Sequence, residues 1–350
     1  MSENTKPLVI AVTGLNAIDS PGPGVAVIRA IRDGLKQPVR IIGLAYESLE
    51  PGIYMDNICD KTYQISYPAA GAEVLYNTLK HIHDLEQIDV IIPNFDAELS
   101  NFITLAPRLK AIGIKSFLPS FEMFDARDKL NLFAFGQKHG LLVPKDRVIY
   151  NVNDLYLIGE EFGYPLVVKG KYYDAVVAYT LEQAQKAFYK ISAKWGFPII
   201  IQQYISGTEV NIAALGDGEG NTISVIPMRK TYITDKGKAW AGITLEDDAL
   251  IDLAKKIVVA TRWRGGFEVE VMKTVNDELY IMEINPRFPA WIYLSAGAGQ
   301  NQPASLVKMA LGEKIEPFTT YDIGKLFIRY SWDLIVNLSE FQQFSAFGKL

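Results

Sequence analysis

Apolar positions along the chain fall into two regimes. Up to residue 120, short apolar runs at 8–12 (LVIAV), 39–44 (VRIIGL), 89–93 (DVIIP) and 114–118 read as buried strands. Residues 25–33 and 73–85 between them carry helical spacing, the first stopped by Gly34. Strands alternating with helices predict a parallel, doubly wound α/β sheet. Ligands of such sheets gather beyond the carboxyl ends of the strands. Residues 13–24 and 94–98 are therefore candidate substrate loops.

After residue 120 the pattern becomes α+β. Residues 126–139 read as one amphipathic helix ending at Gly140, with Lys129 in its first turns. Residues 165–170 form a strand that ends in Lys169, 180–191 a helix and 199–203 a strand. Runs 210–215 and 222–229 read as an antiparallel pair around a turn, and 245–261 as a helix with acidic residues at its start. The tail, 313–350, is rich in aromatic residues expected to pack onto the body or a partner subunit.

Residues 265–291 (GGFEVEVMKTVNDELYIMEINPRFPAW) organise the rest. With Asn276 and Asp277 as a two-residue loop, Val275 pairs with Glu278, Glu270 faces Glu283 and Glu268 faces Asn285. Those four side chains then share one face, while Phe267, Val269, Val271, Tyr280, Met282 and Ile284 cover a core. Opposed carboxylates repel. Either the face is solvated, or a hard divalent cation relieves the repulsion and brings phosphates with it. Asn285 and Arg287 at the strand end add an amide and a guanidinium suited to such a ligand.

Composition narrows the field. A chain of 350 residues, 49% hydrophobic and 21% charged, should divide into two or three domains. Its net charge of −5 offers no basic surface for nucleic acid or an anionic membrane. A lone Cys59 excludes an internal disulfide and a cysteine zinc cluster, and His81, His83 and His139 lack metal-ligand spacing. No apolar run reaches the roughly 20 residues that span a bilayer, and residues 1–7 lack a signal peptide's apolar segment. A soluble, cytoplasmic protein is the expectation.

The remaining chemistry is basic. Gly22-Pro23-Gly24 lacks the third glycine of a dinucleotide fingerprint, and no phosphate-binding GxxxxGK[ST] occurs. Lys129, at the unfavourable end of a helix dipole, suits an anionic partner or simple exposure. Lys169 suits the same partner or marks the strand's exit into water. Arg229, Lys230, Lys236 and Lys238 lie in a loop at 229–242, too local for a nucleic-acid surface. Phosphate or carboxylate contacts and a solvated loop both remain open for it.

In order along the chain, Lys129, Lys169, the segment 202–209 and the Glu270/Glu283/Asn285/Arg287 set resemble an ATP-grasp enzyme. The branch is that of carbamoyl phosphate synthetase and biotin carboxylase. FGYPLVVKG, QQYISGTEV and LYIMEINPR carry the resemblance, which covers essentially the whole chain. It implies an ATP-grasp fold, α/β and α+β, with an N-terminal Rossmann-like pre-ATP-grasp domain at 1–120. A small grasp subdomain at 121–195, a large one at 196–312 with the metal-binding hairpin, and the tail at 313–350 follow.

The resemblance also implies roles. Lys129 and Lys169 hold the nucleotide phosphates, Gln202, Gln203 and Ile205 form the hinge that reads adenine, and Glu209 binds ribose. Glu270 and Glu283 are Mg²⁺ ligands, with Asn285 a further one, and Mn²⁺ is an alternative metal. Arg287 lies near the γ-phosphate and acyl substrate. Arg229 joins the nucleotide-binding set, and Lys230 the catalytic one beside Asn285 and Arg287. The implied chemistry is attack of a carboxylate on ATP, capture of the acyl phosphate by an amine, and release of ADP and phosphate. Such chemistry rests on positioning and charge neutralisation.

Two departures stand out. The loop after Lys169 (Gly170-Lys171-Tyr172-Tyr173-Asp174-Ala175) has one glycine where the family has several, and Gln202 stands where many relatives have Glu. A stand-alone carboxylate–amine ligase fits best. A bicarbonate-activating enzyme and a catalytically silent ATP-binding subunit are the alternatives, and a homodimer is left open.

Overall fold

The computed structural model describes residues 6–18, 20–171, 174–234 and 237–350. Asp19, Tyr172, Tyr173 and Lys236, all in candidate loops, lie outside the described residues. The chain divides into two compact units: Met1–Phe124 with Asn211–Glu268 and Asn285–Leu350, and Asp125–Val210 with Val269–Ile284.

The first unit contains a parallel sheet in the order Lys61–Gln64, Val39–Ala45, Leu8–Thr13, Val90–Ile92. Leu8–Thr13, Val39–Ala45 and Val90–Ile92 are largely apolar because both faces are covered. Ile10 and Val12 pack with Val27, Ile28 and Ile31 of the helix Gly24–Gly34. Val9 and Ala11 face Leu75, Leu79 and Phe102 of the helices Ala72–Glu86 and Asp96–Ala111. Residues 114–118 contribute one bridge, Lys115 to Val90, rather than the expected fourth strand. The strand Lys61–Gln64 instead completes the sheet.

The same unit holds an antiparallel group, Thr222–Ile233, Ala239–Thr244 and Leu326–Ile328. These belong to a six-stranded sheet whose other strands are Thr208–Asp217, Arg264–Lys273 and Leu279–Asn285. The helix after it starts at Asp248, three residues later than expected, because Asp247 is extended and caps it by accepting from the Leu250 N–H at 3.2 Å. In the tail Phe344 is fully buried, but Tyr330 (74% exposed), Trp332 (86%) and Phe347 (74%) are not. Tyr321 and Phe327 pack against the same core as Phe344, so packing onto the chain's own body accounts for part of its aromatics.

The second unit is an antiparallel sheet, Asp146–Ile149, Ile199–Gln203, Leu166–Gly170, Ala175–Ala178. Leu155, Ile158, Phe188 and Ile191 of the helices Asp154–Phe162 and Leu181–Trp195 pack on Leu166, Val168, Ile199 and Ile201. The single helix expected over 126–139 is corrected: a helix runs Leu132–His139, and residues 127–131 form tight turns. Asp128 accepts from the Leu130 N–H at 3.0 Å and the Asn131 amide donates to the Asp125 carbonyl at 3.0 Å. Such short polar side chains compete with helical hydrogen bonds. Lys129 thus sits in a turn.

The hairpin loop also differs from expectation. The Thr274 N–H donates to the Glu278 carbonyl at 3.0 Å, and the Asp277 N–H to the Thr274 carbonyl at 3.1 Å. Asp277 is left-handed, φ 61°. These features define a three-residue loop, 275–277, closed by a left-handed residue. At the loop, therefore, Thr274 rather than Val275 stands opposite Glu278. Ile281 and Ile284, three apart, are both buried, so the alternation also slips between them. Tyr280 and Met282, expected in the core, are only half-buried.

Candidate active site

In the second unit the charges converge on Lys169, at the end of a central strand. Burial pushes its ammonium below the usual lysine range, Glu283 and Glu270 pull it back up, Lys129 pushes it down, and Asp146 raises it. Lys129 Nζ lies 3.5 Å from Glu283 Oε2. Lys129, Lys169, Glu270 and Glu283, from separated stretches, are thereby brought together. Asp146, not anticipated from sequence, joins them. Burial pushes its carboxyl up to about 6, against Arg147 and Lys169, which lower it.

Gln202 is 4% exposed, and its Oε1 is buried without a hydrogen-bond partner. An orphan acceptor in a dry setting suits an N–H donor such as an exocyclic amine. The Gln203 N–H is spent on the Lys145 carbonyl at 2.8 Å. Ile205 is buried and Glu209 half-buried at the start of Thr208–Asp217. The short loop after Lys169 is pinned at its far end. There Asp174, with φ 67°, accepts from Lys194 Nζ at 3.0 Å and from Trp195 Nε1 at 2.9 Å.

In the first unit a second group surrounds Glu268, which had no assigned role. The buried Glu268 accepts from Asn211 Nδ2 (3.1 Å), Asn285 Nδ2 (3.2 Å) and Trp291 Nε1 (2.8 Å). Arg287 Nη1 lies 3.6 Å from it, and Arg287 Nε donates to Asp96 Oδ2 at 2.9 Å. Asn285 and Arg287 are therefore held by Glu268 and by the candidate loop 94–98. That loop is itself fixed by Glu98, fully buried, which accepts from the Asn94 N–H (2.7 Å), the Phe95 N–H (3.0 Å), Thr13 Oγ1 (2.5 Å) and the Tyr46 hydroxyl. Burial raises the Glu98 carboxyl pKa, and those donors oppose the rise.

Arg229 is exposed and Lys230 half-buried on Thr222–Ile233, with Lys230 Nζ donating to the Gly237 carbonyl at 3.3 Å. Among the described residues no group of three or more His, Cys, Asp and Glu gathers to hold a metal. Two carboxylates beside two ammonium groups nonetheless fit Mg²⁺, which binds through few protein carboxylates and completes its shell with phosphates and water. No helix among the described residues is long and apolar enough to cross a membrane.

Residues 197–326 match the family model described as "ATP-grasp in the biosynthetic pathway with Ter operon". Among solved structures, a Campylobacter jejuni biotin carboxylase in complex with beta-gamma-ATP is similar at 17% identity and TM-score 0.71, over 92% of this chain and 74% of that one. The biotin carboxylase domain of Hydrogenobacter thermophilus 2-oxoglutarate carboxylase, a dimer complexed with MgADP and bicarbonate, is similar at 17% identity and TM-score 0.69, over 91% and 73%. An L-amino acid ligase from Bacillus licheniformis is similar at 17% and 0.64, over 88% and 75%. At such identities the likeness establishes the fold.

Proposed function

We propose that this chain, which has the ATP-grasp fold, is an ATP- and Mg²⁺-dependent ligase that activates an amino acid or other small acid and joins it to an amine. The observation that carries the reading is the gathering of Lys129, Lys169, Glu270 and Glu283. Keeping Lys169 charged in a crowded position opposes its own solvation, a cost that functional sites sustain more often than structural ones.

In this reading Lys129 and Lys169 hold the phosphates, Glu270 and Glu283 hold the metal, and Asn285 is a further ligand. Gln202, Gln203 and Ile205 bind the base, Glu209 the ribose, and Arg229 the nucleotide. Arg287 and Lys230 neutralise charge at the acyl group, and Glu268 positions Asn285 and Arg287. ATP supplies the phosphoryl group, and Mg²⁺ the neutralisation of its charge. A carboxylate oxygen bonds to the γ-phosphorus as ADP leaves. The amine then bonds to the acyl carbon as phosphate leaves, and its proton passes to water.

The test is ADP release from MgATP with each of the twenty L-amino acids, bicarbonate and small dicarboxylates, with and without an amine. Release that depends on an acid and is abolished by Glu283→Gln is expected. Stimulation by bicarbonate alone would favour the carboxylase-type alternative, and an active Glu283→Gln would sink the metal assignment.

A further inference from the structure

A cavity of about 650 Å³ opens in the first unit beside the strand Lys61–Gln64, and none of its described lining residues has a role in the ligase reading. Its volume is that of a small-molecule site. One wall is a face of the helix Ala72–Glu86, where Thr78, Ile82 and Leu85 recur at helical spacing. Another joins stretches far apart in sequence. The Gln64 N–H donates to the Gly348 carbonyl at 2.7 Å, and the Thr62 N–H to the Leu350 carbonyl at 2.9 Å. Lys349 thus stands across from Tyr63 on one face, and Phe347 lines the cavity with it.

Much of the polar lining is already spent. The Tyr63 hydroxyl donates to Glu86 at 2.6 Å, the Tyr67 hydroxyl to Glu47, and Gln64 Nε2 to the Tyr46 carbonyl at 3.2 Å. Tyr46 donates its hydroxyl to the buried Glu98 and stacks on Tyr67, with 5.6 Å between ring centroids. These bonds set the walls before any ligand arrives. They leave chiefly ring surface and one charge. Tyr67 is 54% exposed, and Phe347 more so. Among the described lining residues none is acidic, and Lys349 is the one lysine or arginine, with no ion-pair partner among the described residues. His81 adds an imidazole.

Exposed ring faces favour a planar aromatic partner. An unpaired ammonium in an acid-free lining favours an anion. One such charge matches a monoanion, whereas a phosphate dianion would be in excess beside Glu47 and Glu86, which bond to the lining hydroxyls. A sugar would find few donors left.

We propose that this cavity binds an aromatic monocarboxylic acid, its ring against Tyr67 and Phe347 and its carboxylate on Lys349, with His81 a second donor. The site goes beyond the ligase reading and does not depend on it.

The experiment is calorimetric titration of the full chain with benzoate, phenylacetate and indoleacetate, against cyclohexanecarboxylate, phenol and phenyl phosphate. At least one aromatic acid should bind about tenfold tighter than any control, since ring contacts and a charged hydrogen bond separate them. Lys349→Met, at an exposed position, should weaken that binding about tenfold. Thr78→Trp, which fills the cavity, should abolish it, and both variants should keep the wild-type Tm. Binding of none of the three acids would overturn the proposal, as would equal affinity for cyclohexanecarboxylate. Undiminished affinity in Lys349→Met would overturn it too, whether or not Thr78→Trp folds. Absence of ADP release with every acid would sink the ligase reading and leave this site standing.

Discussion

Lys129 Nζ stands 3.5 Å from the Glu283 carboxylate, joining a turn early in the second unit to the far strand of its hairpin. Both side chains are partly exposed, at 26% and 31%, so the pair by itself adds little stability. Its meaning lies in Lys169 beside it, whose charge is crowded by burial and by Lys129 while Glu283 and Glu270 sustain it. A polyphosphate with its metal satisfies that whole set of charges.

Lys169→Met should therefore weaken MgATP binding strongly. A hydrogen bond from a charged group contributes about 1.5–3 kcal/mol, which corresponds to roughly ten- to a hundredfold in affinity. Calorimetric titration with MgATP measures it, and affinity unchanged within twofold would remove Lys169 from the phosphate site.

Asp146 predicts a pH dependence. Its carboxyl rises from 3.8 unfolded to about 6 folded, chiefly through burial. The neutral form is thus favoured in the fold, so its stabilising contribution is complete below 3.8 and lost as pH rises to about 6. Asp146→Asn, neutral throughout, should raise the Tm relative to wild type at pH 7.5, with the gain shrinking at pH 4.5. Calorimetric scans at the two pH values check this; a gain larger at pH 4.5 would contradict it.

Trp291→Phe deletes the indole donor to the buried Glu268. Removing a hydrogen bond to a charged group should lower stability by about 1.5–3 kcal/mol, seen as a lower denaturant midpoint.

At the hairpin tip, Asp277 is left-handed and pairs with Lys273 Nζ at 3.2 Å on the surface. Asp277→Val should cost about 1–2 kcal/mol, since a β-branched residue resists that conformation. Asp277→Gly should be neutral or stabilising. Thermal unfolding of the two variants side by side distinguishes backbone strain from loss of the ion pair.

The parallel sheet was legible because strands buried on both faces leave unbroken apolar runs, as at Leu8–Thr13. The strand Lys61–Gln64 was not, because KTYQ mixes polar and apolar residues and its open edge is met by residues far along the chain, the Thr62 N–H donating to the Leu350 carbonyl at 2.9 Å. The helix over 126–139 was overextended because apolar spacing continues through residues whose Asp128 and Asn131 side chains turn the backbone. Asn276-Asp277 suits a two-residue loop in sequence, but the left-handed residue closes a three-residue one. Lys129, Lys169, Glu270 and Glu283 stood out as local oddities of charge against an apolar pattern. Asp146 did not, since what marks it is burial beside Lys169; Glu268 stood on the same acidic face without a role, because its bonds to Asn211 and Trp291 show only in the fold.

The central claim is that a carboxylate oxygen of the acid attacks ATP. Turnover of MgATP with a pool of L-amino acids labelled with ¹⁸O in their carboxylates, together with an amine, tests it most directly, with the released phosphate analysed by mass spectrometry. One ¹⁸O transferred to phosphate for each amide formed is the predicted result. Phosphate that carries no label while ADP accumulates would contradict the account.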